Sequence, residues 1–267
     1  MPDLSNWLAL REPADTAARS TSLTRLIAEK LPRDRAVRIV DLGTGTGSNV
    51  RYLAGHLPGP QEWLIVDRDP GLLAEAATAL RPLRNVVVET FETNLGHIDG
   101  SIFSRRDLVT ASALLDLVSD AWLGALASEC RAAGALALFV LTYNGRSSCS
   151  PAEPEDELVR ELLNRHQLQN DKGFGRAAGP EAVNVVARAF SLAGFHIRRE
   201  PSDWVLPPDA RALQVELVDG WATAACEIAP NRTPAIADWL RRRLEHIEEN
   251  RSRITVGHDD FAAWTAS

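Results

Sequence analysis

Short apolar runs alternate with amphipathic segments between residues 36 and 142. The apolar runs predict strands over 36–42, 62–67, 85–90, 106–112 and 135–142. The amphipathic segments predict helices over 47–56, 70–80 and 118–132. Strands that alternate with helices of this size indicate βαβ units and a mostly parallel sheet. The predicted strands contain few polar residues, as expected when helices cover both faces of the sheet.

The flanking segments have a different pattern. Residues 1–34 are predicted to be helical, because apolar residues recur at near-helical spacing and Pro32 closes the segment. Beyond Tyr143 the pattern predicts helices over 155–167, 180–193, 208–228 and 233–249, and strands over 195–206 and 252–264. Since neither a linker nor a repeat is visible, we expect 1–267 to form a single domain.

A glycine-rich turn follows the first predicted strand. The strand ends at Asp41, and glycines stand at every second position after it, at Gly43, Gly45 and Gly47. Glycine has no Cβ, so such a turn brings backbone N–H groups and a helix N-terminus close to a ligand. The pattern resembles motif I of the class I S-adenosylmethionine (SAM)-dependent methyltransferases, an acidic residue followed by G-x-G-x-G.

The resemblance implies an α/β fold: a doubly wound, mostly parallel seven-stranded sheet, the Rossmann-like methyltransferase fold, with extra helices that form a cap. It implies SAM as cofactor and S-adenosylhomocysteine (SAH) as product. Residues 1–34 are then an N-terminal helical segment and 35–145 a SAM-binding core. The insertions 150–179 and 207–251 are expected to cover the acceptor site.

The second predicted strand ends in an acid, Asp67, which lies 20 residues after Gly47. A carboxylate there can accept hydrogen bonds from both ribose hydroxyls of a nucleotide; Asp69 is the alternative for this role. In the family, the segment after the third strand contacts adenine and the end of the fourth lies under the methionine part of SAM. The implied cofactor residues are Asp41, Gly43, Thr44, Gly45, Gly47, Asn49, Asp67, Arg68, Asn94, Leu95, Ser112, Ala113 and Arg19.

Two of these assignments leave alternatives open. Asn94 stands where many relatives have aspartate, and its amide oxygen can accept from the adenine amino group, although an ordinary surface turn explains it equally. Arg19 is expected to pair with the SAM carboxylate if the N-terminal helix folds over the cofactor; the alternative is a surface arginine.

Asp116 is the first candidate on the acceptor side, as a substrate-binding carboxylate or a general base. Its alternative role is a helix cap or a solvated acid. Tyr143 and Asn144 follow the fifth strand and are expected at the same mouth, unless they belong to a polar loop. His166 and Lys172 lie in a segment whose donors, aromatic ring and glycines suit a lid over an anionic or polar substrate, or a solvated loop.

Composition narrows the function. The net charge of −7 (29 basic and 36 acidic residues) argues against a broad nucleic-acid footprint. The three cysteines match no metal-ligand spacing, so we expect them to be reduced and expect no metal. The longest apolar run, 132–141, is about half the roughly 20 residues that span a bilayer. With no signal-peptide pattern, we expect a cytoplasmic protein without a membrane partner.

The sequence therefore predicts a SAM-dependent methyltransferase acting on a small molecule, with an oxygen or nitrogen acceptor. Alternatives are a methyltransferase acting on a macromolecule and a non-catalytic SAM-binding regulatory or partner protein. NAD-dependent redox chemistry is disfavoured because Ser48 stands where the dinucleotide motif requires glycine. A P-loop is absent. The acceptor and the oligomeric state stay open.

Overall fold

The computed structural model describes residues 4–169 and 173–265. Within them, five strands and the helices between them form the predicted core. The strands are β1 (Val37–Leu42), β2 (Gln61–Asp67), β3 (Val86–Glu92), β4 (Leu108–Ser112) and β5 (Leu136–Ser150). The helices are α3 (Ser48–Ala54), α4 (Pro70–Leu80) and α5 (Asp120–Ala133), whereas a one-turn 3₁₀ helix at Gly100–Phe103 precedes β4.

The remaining elements flank this core. Two helices precede it, α1 (Leu4–Ala18) and α2 (Thr21–Lys30). Following it are α6 (Asp156–Gln169), α7 (Ala182–Leu192), β6 (His196–Pro201), β7 (Trp204–Leu206), α8 (Arg211–Ile228), α9 (Thr233–Glu248) and β8 (Arg253–Trp264). None of the described helices combines the length and apolar character needed to cross a membrane.

Local sequence explains several helix starts. Asp69 caps α4, because its side chain accepts from the N–H groups of Gly71 and Leu72 and Pro70 occupies the first turn. Ser119 caps α5 through the N–H of Trp122. Ser20 caps α2 through the N–H of Leu23, so the predicted helical segment 1–34 is two helices rather than one.

The described strands form one sheet in the order β3-β2-β1-β4-β5-β8-β6, and β7 also pairs with β8. The pairs among β1 to β5 are parallel. Strand β8 runs antiparallel to β5, β6 and β7. The doubly wound, mostly parallel arrangement is confirmed.

The described residues form eight strands, one more than the seven predicted. The apolar run 195–206 is interrupted at Ser202 and Asp203, which bond to His258 of β8: Ser202 N–H donates to the His258 carbonyl (2.9 Å), and Asp203 Oδ1 accepts from His258 N–H (3.0 Å). This contact divides the run into β6 and β7. Strand β5 extends well beyond the predicted end at 142, because antiparallel pairing with β8 continues to Ser150.

Two apolar clusters fill the space on the two faces of the sheet. One contains Ile39 and Trp63 together with Trp221 of α8 and Trp239 of α9. The other is built around three aromatic rings, Phe139, Phe190 and Phe261. Helix α8 packs between α6 and α9. These three helices therefore share the first core cluster with the sheet instead of forming a separate unit.

Candidate functional site

The glycine turn adopts backbone conformations that glycine allows. Gly43, Gly45 and Gly47 have φ of 65°, 56° and 84°. A Cβ on Gly45 would lie 3.0 Å from Cδ1 of Leu8, and a Cβ on Gly47 would lie 3.3 Å from the Cβ of Ala76. Helix α1 therefore lies directly over the turn, while Gly47 allows α3 and α4 to pack closely.

A cavity opens where β1, β2 and β4 end, between the glycine turn and α1. We term it the glycine-turn cavity. In open α/β sheets, ligands bind beyond the carboxyl ends of the strands. The sequence-predicted residues in its wall are Asp41, Gly43, Thr44, Gly45, Asn49, Asp67, Arg68, Leu95, Ser112 and Ala113. These residues come from four separate segments of the chain, and the fold brings them together.

Asp41 is a buried carboxyl in this wall, with 1% exposure. Its Oδ1 accepts from Asn49 Nδ2 (2.6 Å), whereas its Oδ2 has no hydrogen-bond partner among the described residues. Burial raises the pKa of Asp41 to about 7, although the bond from Asn49 and the charge of Arg19 act in the opposite direction. A cationic ligand group would compensate this carboxylate.

Asp67 is fixed at the other end of the glycine turn. Its Oδ2 accepts from the N–H of Gly45 (2.8 Å), and its Oδ1 accepts from the N–H of Asp69 (3.1 Å). Each carboxylate oxygen can accept more than one hydrogen bond. Leu72 and Leu95 line the same cavity and supply apolar contacts. The carboxylate is thus held in place with acceptor capacity to spare.

Helix α1 belongs to the N-terminal segment expected over the cofactor, but the four residues that it contributes were not among those predicted. Leu4, Leu8, Arg11 and Asp15 line the cavity. Arg11 pairs with Asp15 (Nε to Oδ2, 2.9 Å), and Asp15 Oδ1 also accepts from Trp204 Nε1 (3.0 Å). The signal was present in the spacing of these four residues, which places them on one face of a helix.

Further wall residues are Thr46, Ser48, Leu72, Leu114, Leu117 and Phe174. None of these was named as a site residue, although Thr46 and Ser48 belong to the glycine turn itself. Phe174 is the aromatic residue of the segment predicted as a lid or a solvated loop, and its ring packs edge-on against Trp122 with centroids 6.0 Å apart. It lines the glycine-turn cavity, whereas the sequence analysis expected its segment on the acceptor side.

Three predicted cofactor residues lie outside the cavity wall. Gly47 faces α4, as described above. Asn94 has its Oδ1 engaged by the N–H of Gly96 (2.9 Å), so it closes a local turn while its neighbour Leu95 faces the cavity. Arg19 is 6% exposed rather than on the surface.

Arg19 acts through Asn49. Its Nη1 donates to Asn49 Oδ1 (2.7 Å), and its guanidinium stacks over the Tyr52 ring at 4.0 Å. Since Asn49 in turn donates to Asp41 and to Thr110 Oγ1 (3.1 Å), all of its amide groups are used. This chain of bonds orients the buried Asp41 carboxyl.

A second cavity lies next to the first and is bounded by α1, α6, α8 and the one-turn helix Leu115–Leu117. We term it the α8 cavity. Leu117 lines both cavities, and α1 contributes Trp7 to this one. The two spaces are therefore neighbours across a single turn that follows β4.

Two of the predicted acceptor-side residues line the α8 cavity. Asp116 is 7% exposed, so it is neither a solvated acid nor the α5 cap, a role that Ser119 fills. His166 lies on α6 rather than in a loop, and its Nε2 is 2.8 Å from Glu227 Oε2. A histidine in contact with a carboxylate does not favour an anionic ligand.

The other predicted acceptor-side residues lie elsewhere. The Tyr143 hydroxyl donates to Asn164 Oδ1 (2.9 Å) in the interior, where burial raises the Tyr143 pKa. Asn144 Nδ2 donates to Asp259 Oδ2 (3.2 Å). Tyr143 pairs with His258 in the β5–β8 ladder, and Asn144 lies in the irregular stretch that follows it; neither residue lines either cavity. Lys172 lies outside the described residues.

Neither a family model nor a curated protein matches this sequence. Solved structures do match the fold. The YcgJ protein of Bacillus subtilis is 15% identical, with a TM-score of 0.51, and the match covers 93% of this chain and all (100%) of that one. The cyclopropane synthase MmaA2 of Mycobacterium tuberculosis is 10% identical, with a TM-score of 0.53 and coverage of 97% and 93%.

A third match is the mycolic acid cyclopropane synthase CmaA1, crystallised with SAH and CTAB. It is 11% identical, with a TM-score of 0.50, and the match covers 90% of this chain and 82% of that one. At such identities the likeness concerns the fold. The chain has the Rossmann-like fold of the class I SAM-dependent methyltransferases, as its sequence predicts.

Proposed function

We propose that this protein is a SAM-dependent methyltransferase that acts on a small molecule. The observation that supports this most strongly is the pairing of two adjacent cavities. One is lined by the acid-and-glycine turn, and the other begins on the opposite side of Leu117. A methyl transferase needs this arrangement, because cofactor and acceptor must meet while each keeps its own site.

The residues of the glycine-turn cavity fit SAM. Asp67 has the acceptor capacity for two ribose hydroxyls, and Leu72 and Leu95 offer apolar surfaces for adenine. The unpartnered Oδ2 of the buried Asp41 suits the ammonium of the methionine part. CmaA1, which shares the fold, was crystallised with SAH.

Arg11 is the candidate partner of the cofactor carboxylate. It lines the cavity, and its pair with Asp15 uses Nε and Nη2, so Nη1 is not engaged in that pair. Arg19 does not line the cavity and is better assigned to positioning Asn49 and Asp41. Ser112 and Ala113 are small, and they leave room for the reactive end of the cofactor.

When bound, SAM supplies a methyl group on a positively charged sulfur. The chain's own contribution is alignment of the acceptor and exclusion of water. Helix α1 covers one cavity, and α6 and α8 wall the other. Asp116, in the turn between them, is the candidate group that binds the acceptor or removes its proton.

Enclosure by helices favours a small acceptor over a macromolecule. The residues 150–179 and 207–251, which contribute α6, α8 and α9, are therefore proposed as the cap of the acceptor site. The net charge of −7 also disfavours a nucleic-acid substrate, which would require a basic face.

The proposal is tested by replacing Asp67. Asp67→Ala removes the two proposed ribose contacts, and we expect the Kd for SAH to rise about 10- to 100-fold, as for lost hydrogen bonds to a charged group. The matched control is Glu62→Ala, at the other end of β2, where Glu62 forms a long, partly exposed ion pair with Arg38 (3.4 Å). Calorimetry gives Kd, and thermal unfolding confirms that both variants fold.

Two outcomes would count against it. Equal SAH affinity in wild type and Asp67→Ala would remove Asp67 from the ribose role. Absence of SAH binding by the wild-type protein would remove the methyltransferase assignment itself.

A further inference from the structure

The α8 cavity has an acidic wall. Four of its lining residues are carboxylates, Asp116, Glu216, Asp219 and Glu227, whereas no lysine or arginine is among the described residues that line it. A cleft lined by charges of one sign focuses the field within it and concentrates ligands of the opposite charge. The wall therefore selects for a cation.

Two tryptophans line the same space. Trp7 comes from α1 and Trp221 from α8, where its side chain is 7% exposed. The face of an indole attracts an ammonium group through its quadrupole and also packs against apolar groups. Aromatic faces together with carboxylates are a combination that recognises organic cations.

The spacing along α8 separates the polar and apolar parts of the wall. Leu217, Trp221 and Ala224 are buried and form its apolar strip. Glu216, Gly220, Thr223 and Glu227 follow an adjacent strip of the helix and form the polar side. A ligand that fits this wall carries an apolar body and a charged end.

The carboxylates are not arranged as a metal site. Within residues 4–169 and 173–265, no group of three or more histidine, cysteine, aspartate or glutamate side chains is placed to hold a metal ion. Three of the four acids, Glu216, Asp219 and Glu227, follow one another along α8, and Asp116 lies in the turn after β4. The expected occupant is therefore an organic cation that spans the space.

We infer that the acceptor is an amine, cationic at neutral pH, with an aromatic or branched apolar body. This inference rests on the proposed function, since it assigns the α8 cavity to the acceptor, and it selects nitrogen over oxygen as the methylated atom. Asp116 lies in the turn shared with the glycine-turn cavity, so the ammonium end is expected there. For transfer, the ammonium gives one proton to the Asp116 carboxylate; the nitrogen lone pair then forms the bond to the methyl carbon as the bond from that carbon to the sulfur breaks, and SAH is the leaving product. The apolar body then lies along Leu217 and Trp221.

The experiment uses the full chain at pH 7.5 with saturating SAH. Three matched trios of probes are titrated by calorimetry: an amine, the corresponding alcohol and the corresponding carboxylic acid, on hexyl, 2-phenylethyl and 2-(indol-3-yl)ethyl skeletons. In at least one trio, the amine is expected to bind at least 10-fold more tightly than its two counterparts. Equal or tighter binding of alcohols or acids, or no amine preference in any trio, would overturn the inference.

Variants connect the preference to the wall. The double variant Glu216→Gln with Asp219→Asn is expected to weaken binding of the preferred amine at least 10-fold and to leave the Kd for SAH unchanged. The matched control is Asp209→Asn, an exposed acid just before α8 that does not line the cavity. Amine binding that is equal in both variants would contradict the assignment of these carboxylates.

A third variant tests the aromatic wall without altering charge. Trp7→Leu keeps an apolar side chain but removes the indole face. This variant should weaken binding of the amine more than binding of the matched alcohol. Equal losses for both probes would exclude a contact between the ammonium and the indole. The titrations are repeated without SAH, so a failure of SAH to bind refutes the proposed function while the amine preference is scored separately.

Discussion

Single residues in the glycine-turn cavity carry the proposed chemistry, and Asp41 is the one with the most distinctive ionisation. Its pKa of about 7 in the folded chain exceeds the ordinary value of 3.8, because burial penalises the carboxylate. The ligand ammonium proposed for its Oδ2 would favour the charged form. Two dependences on pH follow.

The first concerns stability. Between about pH 4 and pH 7 the native chain keeps a proton on Asp41 that the unfolded chain releases, so this residue lowers the free energy of unfolding as pH rises through that window. The expected size is about 1.4 kcal/mol per unit of raised pKa. Urea denaturation measures the free energy of unfolding at pH 5 and at pH 8. Between these two values this free energy should decrease less for Asp41→Asn than for the wild type. Equal decreases would contradict the burial argument.

The second concerns binding. Since the charged carboxylate is the form that pairs with an ammonium, the affinity for SAH should increase from pH 6 to pH 7.5 in the wild type. Asp41→Asn should bind more weakly at pH 7.5 and lose most of that dependence. When the ligand binds, Asp41 should release its proton, and calorimetry in buffers of different ionisation enthalpy measures that release. A variant that retains the wild-type pH profile would exclude this role for Asp41.

Residue roles were predictable where they depend on one contiguous stretch of chain. Asp41, Gly43, Gly45 and Asp67 follow directly from strand ends and glycine spacing, and all four line the cavity. Arg19 and Asn94 were placed by analogy with the family, and their side chains are used in local bonds instead. The sequence did not predict that Trp7 and Trp221 line one cavity, because this depends on how α1 and α8, which are distant in the chain, pack together.

At the scale of elements, α1 is the component whose position matters most for the site. It lies on the glycine turn through Leu8, and it supplies Arg11 and Trp7 to the two cavities. An ion pair between Glu12 and Arg51 of α3 also attaches it to the core (2.5 Å). The packing of α1 and the conformation of the turn should therefore be energetically coupled.

A double-mutant cycle measures this coupling. Gly45→Ala should lower the free energy of unfolding by about 1–2 kcal/mol, because alanine is strained at positive φ and its Cβ would lie 3.0 Å from Leu8 Cδ1. Leu8→Ala relieves the contact but not the strain. The loss of free energy of unfolding in the double variant should be smaller, by at least about 0.5 kcal/mol, than the sum of the losses in the two single variants. Additive losses would mean that α1 does not pack on the turn.

Helices α6 and α9 are joined by an ion pair whose arginine is buried and whose aspartate is 22% exposed. Arg243 of α9 is fully buried (0% exposed), and its Nη2 donates to Asp156 at the start of α6 (2.7 Å) while its Nη1 donates to the Pro151 carbonyl (2.7 Å). The Trp239 Nε1 donates to the same aspartate (2.8 Å). Asp156 thus joins α6 to α9.

Removal of the arginine should leave Asp156 with an uncompensated charge. We expect Arg243→Met to lower the free energy of unfolding by about 3 kcal/mol. Arg241→Met is the matched control on the same helix, because Arg241 pairs with the exposed acids Asp238 and Glu245. This control should change the free energy of unfolding by no more than about 0.5 kcal/mol. Denaturant titration compares the two variants, and similar losses would show that the pair of Arg243 with Asp156 is not the main attachment.

Most elements of the chain were predictable, since hydrophobic period and helix caps are local properties. The exceptions are elements defined by a partner strand. The end of β5 depends on its register with β8, and the division of 195–206 depends on the contact of Ser202 and Asp203 with His258. Pairing over such distances leaves no signature in the hydrophobic pattern of either strand.

In the whole molecule, segments from both ends of the chain converge on the ends of the central strands. Helix α1 covers the glycine turn, and α8 walls the neighbouring cavity. The mostly parallel sheet followed from the alternation of helices and strands, whereas the shape and charge of the α8 cavity depend on helix packing. The assignment of all these elements depends on the proposal that the glycine-turn cavity binds SAM.

Calorimetric titration of the purified chain with SAM, SAH and NADH in parallel tests whether this cavity binds SAM. We predict micromolar binding of SAM and SAH and no detectable binding of NADH, because Ser48 replaces the third glycine of a dinucleotide motif. Binding of NADH without binding of SAM or SAH would contradict the methyltransferase proposal and assign the cavity to redox chemistry. Binding of none of the three would leave a methyltransferase-like fold without the cofactor.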